Sequence, residues 1–92
     1  MKKITIYTKD YCPYCDRAKR LLKELGAEYK EVDITQTPEL MAELVEKSGL
    51  MTVPQIFVNV GGVGEKCLGG FDDINRLHQA GELMGELGMV RG

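Results

Sequence analysis

The spacing of apolar positions changes repeatedly along this chain, and each change marks a new element. Lys3-Ile4-Thr5-Ile6-Tyr7-Thr8 is β-branched and aromatic, as suits a buried strand. After Pro13, Ala18, Leu21, Leu22 and Leu25 recur at helical spacing. Pro13 suits a first turn, where a missing N–H costs nothing, and Gly26 supplies a stop. Glu28 to Ile34 alternates polar and apolar residues and predicts a second strand. Thr37 as a cap and Pro38 at the first helical position open another helix. Its stripe is the pairs Leu40/Leu44 and Met41/Val45, and it ends near Ser48-Gly49. Gln55 to Val60 reads as a third strand, Gly61-Gly62 as a turn and Gly64 to Leu68 as a short fourth strand. Asp72, Asp73, Ile74 and Leu77 predict a helix just after Gly69-Gly70, with acidic residues in its first turn. The tail from Gly81, with Leu83, Met84, Leu87 and Met89, reads as a short final helix.

The predicted order is β-α-β-α-β-β-α with one further short helix. The first β-α-β unit is expected to be right-handed with parallel strands. The Gly61-Gly62 connection is too short for a crossover, so the last two strands should pair antiparallel. The expected fold class is α/β: a mixed four-stranded sheet flanked by helices, in one domain over residues 1–92.

Composition narrows the function classes. The chain is 43% hydrophobic and 28% charged, which is ordinary for a globular domain. No apolar run approaches the ~20 residues of a spanning helix. Met1-Lys2-Lys3 is basic, but Ile4-Thr5-Ile6-Tyr7 is too short for a signal-peptide core, so a cytoplasmic protein without membrane association is expected. A formal charge of −2 gives no bulk electrostatic case for nucleic acid. The distribution says more: Lys9, Arg17, Lys19 and Arg20 lie close in sequence to Cys12 and Cys15, whereas Glu39, Glu43 and Glu46 lie elsewhere. Cationic surroundings favour a thiolate and an anionic partner.

Three cysteines with a single tight pair do not make a disulfide scaffold, and they point to a reducing compartment. Cys12-Pro13-Tyr14-Cys15 falls where the first strand gives way to the first helix. Cys12 should occupy the cap region, where free N–H groups and the helix dipole favour an anion and so lower a thiol's pKa. Cys15, three residues on, stays within reach of a disulfide and inside the first turn. It should be more buried, less acidic and second to act. A structural zinc site would need four ligands, and Cys67 and His78 supply no second pair, so no metal is expected. C-x-x-C beside a β-α-β pattern is instead the signature of a thioredoxin-like redox domain.

Two further segments carry chemistry. Thr52-Val53-Pro54 stands directly before the third strand. Pro54 fits either a cis bond, which would turn the Val53 backbone outward to pair with an extended peptide, or an ordinary proline at a strand's start. In Gly69-Gly70-Phe71-Asp72 the glycines admit close approach to the backbone. The following helix start offers N–H groups to a carboxylate, and Asp72 can accept from an ammonium. A plain glycine turn with an aspartate cap reads equally well from these residues alone.

Taken together, Ile6-Tyr7-Thr8-Lys9 leading into Cys12-Pro13-Tyr14-Cys15, then Thr52-Val53-Pro54-Gln55-Ile56-Phe57, then Gly69-Gly70-Phe71-Asp72-Asp73 closely resemble the glutaredoxin family. The segments come in the family's order, and the C-P-Y-C tetrad resembles its dithiol branch. The resemblance implies a thioredoxin-like fold and glutathione-dependent reduction of protein disulfides and glutathione mixed disulfides, with Cys12 as nucleophile and Cys15 resolving. It implies glutathione as co-substrate, no permanently bound cofactor, and disulfide-containing or glutathionylated proteins as partners; a monomer is expected because the domain needs no partner to close its core. By resemblance, Lys9 and Tyr14 flank the glycine end of the tripeptide, Thr52, Val53 and Pro54 its cysteinyl unit, and Gly70, Phe71 and Asp72 its γ-glutamyl end. Two rivals are a redoxin reduced directly by thioredoxin reductase and a module holding an iron–sulfur cluster between two subunits. Lys9, Gly70 and Asp72 weigh against the first, and Pro13 with the dithiol tetrad against the second. Leu50 and Met51 depart from the arginine or threonine that many relatives carry there. Asn59 to Glu65 is slightly longer than usual, and Cys67 matches a position that is cysteine in some relatives.

Overall fold

The computed structural model describes residues 2–61 and 64–89. Its elements are β1 (Ile4–Thr8), α1 (Pro13–Glu24), β2 (Lys30–Asp33), α2 (Glu39–Ser48), β3 (Gln55–Asn59), β4 (Glu65–Gly69), α3 (Phe71–Gln79) and α4 (Leu83–Glu86). This is the predicted order with the final short helix included. The sheet runs β2-β1-β3-β4, with β1 and β2 parallel and the other two pairings antiparallel.

Period-2 alternation decides which face each side chain joins. Ile4 and Ile6 of β1 and Ile56 and Val58 of β3 pack with Ala18, Leu21 and Leu22 of α1, Ile74 of α3, and Leu83 and Leu87 at α4. The opposite face carries Phe57 with Ile34 and Leu44, and Tyr7, Val32 and Met41 pack around them. β3 is therefore covered on both faces, and four of its five residues are buried. Each fully buried Ile or Leu contributes ~1.5–3 kcal/mol, so this double packing makes β3 the firmest support for whatever precedes it.

α1 ends where Gly26 takes φ +77°. There the N–H of Ala27 donates to Leu22 O at 2.9 Å and that of Gly26 to Lys23 O at 3.0 Å, the paired bonds of a left-handed glycine stop. The start of α2 departs from the expected capping. The helix begins at Glu39 with Pro38 in the cap position, and Thr37 takes part through its carbonyl, which accepts from Leu40 N–H at 3.0 Å. Proline's fixed φ suits either position, so sequence alone does not separate them.

In the β3–β4 connection, Val60 N–H donates to Gly64 O at 2.8 Å, and Gly61 N–H to Asn59 Oδ1 at 2.8 Å. Gly62, the second residue of the predicted turn, lies outside the described residues. Among the described residues no helix is long and apolar enough to cross a membrane.

Candidate active site

β1 delivers the chain to the N-terminus of α1 through a short loop. Asp10 N–H is tied to Thr35 Oγ1 at 2.8 Å, and Tyr11 takes φ +56°, a conformation L-residues other than asparagine and aspartate rarely hold. Cys12 follows as the cap of α1, with Pro13 as its first helical residue. The Cys12 sulfur accepts a hydrogen bond from Cys15 N–H at 3.1 Å. One unpaired donor of the helix start is thereby satisfied by sulfur, an arrangement that favours an anion there. Cys12 and Cys15 are joined as a disulfide, with their Cα atoms 5.2 Å apart. Cys12 is half-buried while Cys15 is only 1% exposed, the asymmetry expected of a first-acting and a second-acting thiol.

The Val53–Pro54 bond is cis. The Val53 carbonyl oxygen lies 3.8 Å from the Cys12 sulfur, so the segment before β3 abuts the thiol. Behind it, a groove of about 380 Å³ is lined by Tyr14, Leu50, Thr52, Val53, Pro54, Gly70, Phe71, Asp72 and Asp73. The fold thus brings the three chemically loaded segments together. Seven of the ten residues singled out from sequence line the groove and two more form the disulfide beside it. Lys9 is exposed and does not line it. The rings of Tyr14 and Phe71 approach to 6.2 Å between centroids, linking the first helix to the third across the groove.

The positive surface expected around the thiols is thinner than the sequence implied. Lys19 turns to Glu31, with Nζ 3.1 Å from Oε2, and it also lies 3.7 Å from Asp16. The hydrogen bond to Glu31 is the main reason its ammonium is held above the usual lysine value. Arg17 stacks over the Tyr14 ring at 5.2 Å, and with Arg20 it lines a separate groove beyond Phe71. Of these cations, Lys19 is drawn off by carboxylates, while Arg17 stays over Tyr14 at the edge of the first groove.

Two residues that shape the groove, Asp73 and Gln55, are not among the site residues singled out from sequence. Asp73 Oδ2 accepts from Gly70 N–H at 2.9 Å, fixing the start of α3. An acidic residue at the third helical position is a known cap signal, so Asp73 was findable. Gln55, fully buried, bonds to the loop before Pro54, and nothing in a strand-like run flags that. Cys67 is half-buried, and burial is the main cause raising its thiol pKa above the ordinary value. Among the described residues no three His, Cys, Asp or Glu side chains converge as metal ligands.

Comparison with known proteins gives one answer. The family model described as Glutaredoxin matches residues 4–62. A glutaredoxin of Pseudomonas aeruginosa is 46% identical over 83 residues, covering 90% of this chain and 93% of its own. Glutaredoxin 3 of Escherichia coli is 40% identical over 83 residues, covering 90% and 94%. Among solved structures, a buckwheat glutaredoxin–glutathione complex superposes with TM-score 0.81 at 30% identity, covering 98% of this chain and 83% of the buckwheat chain. The solution structure of a Brucella melitensis glutaredoxin gives 0.72 at 39% identity, covering 99% and 96%.

Proposed function

The chain belongs to the glutaredoxin family and is a glutathione-dependent thiol–disulfide oxidoreductase, and on that premise we propose that Cys12 is the nucleophile and Cys15 the resolving thiol. The observation that carries this assignment is the placement of the Cys12 sulfur, at the start of α1, on the N–H of Cys15 and against Val53. The thiolate is the attacking species, and the donor and dipole at that point favour it.

With a glutathionylated protein, Cys12 attacks the glutathione sulfur. The old S–S bond breaks, the protein thiolate leaves and takes up a proton, and glutathione remains on Cys12. A second glutathione thiolate attacks that glutathione sulfur, giving glutathione disulfide and restoring Cys12. With a protein disulfide, the Cys12 thiolate attacks one substrate sulfur and the other leaves. Cys15 then attacks the Cys12 sulfur, expels the second substrate thiol and closes the Cys12–Cys15 bridge. Two glutathiones reopen that bridge.

The groove suits glutathione in the arrangement the sequence resemblance implies. The backbone of Val53, with Thr52 and Pro54 beside it, pairs with the cysteinyl unit. The N–H groups of the first turn of α3, from Phe71 on, meet the γ-glutamyl carboxylate beside Gly70, whose own N–H is held by Asp73, and Asp72 meets the ammonium. Tyr14 and Lys9 flank the glycine end. The buckwheat relative's complex with glutathione supports this reading. Tyr11, Tyr14 and Met51 are exposed large apolar residues, and all three belong to segments flanking Cys12 or Pro54. They are suited to cover the protein half of a mixed disulfide. The odd cysteine count suits a reducing cytoplasm.

Cys12→Ser and Cys15→Ser, assayed side by side with glutathione as reductant, test the assignment. Cys12→Ser should fall to background on every substrate. Cys15→Ser should keep deglutathionylating a peptide while losing protein disulfide reduction. Normal turnover by Cys12→Ser would refute it.

A further inference from the structure

Gln55 opens β3 at 0% exposure, and its side chain is spent on the loop before it. Nε2 donates to the carbonyls of Leu50 and Thr52, each at 3.0 Å. Oε1 lies 2.8 Å from Ser48 Oγ, whose single proton is shared with Leu44 O at 2.8 Å, while Leu50 N–H donates to the same hydroxyl at 3.0 Å. Two backbone carbonyls can only accept, so the amide must present its NH2 to them, which settles its orientation.

This clamp holds one wall of the groove. Leu50 and Thr52 line it, Val53 follows directly with its carbonyl 3.8 Å from the Cys12 sulfur, and Gln55 itself rides on the doubly packed strand. On the far side the fit is close: a Cβ at Gly70 would stand 3.3 Å from the Pro54 carbonyl oxygen. An apolar residue would serve β3's packing equally well. The burial of an amide there is explained by the loop it fixes.

We propose that Gln55 is a positioning residue for the glutathione reaction, fixing the Leu50–Val53 loop so that the Val53 backbone is presented to glutathione beside Cys12. The proposal rests on the reading that glutathione lies along Val53. It predicts a loss in substrate binding with Cys12 chemistry intact.

The test uses Gln55→Glu, which removes both donors at constant shape, and Gln55→Met, which removes all polar contacts at similar volume. Folded variants should show a KM for a glutathionylated peptide raised roughly tenfold, the scale of one lost hydrogen-bonded anchor. Their kcat and the rate of Cys12 alkylation by iodoacetamide should stay near wild type, and exchange of the Leu50–Val53 amides should quicken. Should both fail to fold, Ser48→Ala removes the partner of Oε1 and the acceptor of Leu50 N–H while leaving both Nε2 bonds in place, and should show the same pattern more weakly. A folded variant with a faster-exchanging loop but wild-type KM would overturn the proposal, as would equal losses in KM, kcat and alkylation. Amide shifts on adding glutathione to the wild type separate the two levels. If Val53 does not shift, the glutathione reading itself fails; if it shifts and the variants keep their KM, only the role of Gln55 fails.

Discussion

The N–H of Gly70 and the carboxylate of Asp73 form a 2.9 Å hydrogen bond that closes the first turn of α3 on the groove. Gly69, immediately before it, takes φ +106°, and a Cβ built there would run into the Asp73 carboxylate. Alanine at position 69 therefore meets two obstacles: a backbone conformation hostile to L side chains and the displacement of the cap. Gly69→Ala is expected to lose roughly 1–3 kcal/mol in urea denaturation and to raise the KM for glutathione substrates. Asp73→Ala should lose about 1 kcal/mol, the usual loss when a cap is removed. Wild-type stability in Gly69→Ala would show that the carboxylate moves aside freely and that this turn is not constrained.

Cys67 stands opposite Phe57 in the β3–β4 register and packs against the cluster of Ile34, Leu44 and Phe57. Burial disfavours its thiolate, and Asp73 adds to that in smaller measure, while a hydrogen bond from the Gly69 backbone opposes both. In the reduced protein at neutral pH, limiting iodoacetamide should label Cys12 well before Cys67, as read by peptide mass spectrometry. Cys67→Ala should leave glutathione-coupled turnover unchanged. Labelling of Cys67 first would contradict its placement as a structural thiol.

What could be read from sequence follows from how local each signal is. Ile4 and Ile6 pointing one way, and Cys12 and Pro13 marking a helix start, depend only on neighbouring residues, and the fold reproduces them. The meeting of Val53 with Cys12 bridges 41 residues of sequence and was legible only because three segments matched a known pattern together. Two kinds of residue escaped. Gln55 is polar in a run that reads as strand, and only the packing of both sheet faces shows that it is buried and what it must bond. Lys19 was counted towards the thiols because it is near them in sequence. A helix turns side chains away within a residue or two, and the register of β2 offered it Glu31 instead.

That Lys19–Glu31 pair carries a pH signature. Glu31 Oε2 accepts from Lys19 Nζ at 3.1 Å and from Thr8 Oγ1 at 2.7 Å, tying α1 and β1 to β2. The lysine side chain is 28% exposed, and its folded pKa is raised, chiefly by the hydrogen bond to Glu31. A folded pKa above the unfolded one means the contribution is fully present below the unfolded value and is lost as pH rises through the folded value. The difference in urea midpoint between wild type and Lys19→Met should therefore be constant at neutral pH and begin to close above ~10.4, the unfolded lysine value. For a partly exposed pair the gap should be below about 1 kcal/mol and should shrink as salt is added. A gap that stays constant through alkaline pH would mean that the contribution of Lys19 does not come from its charge.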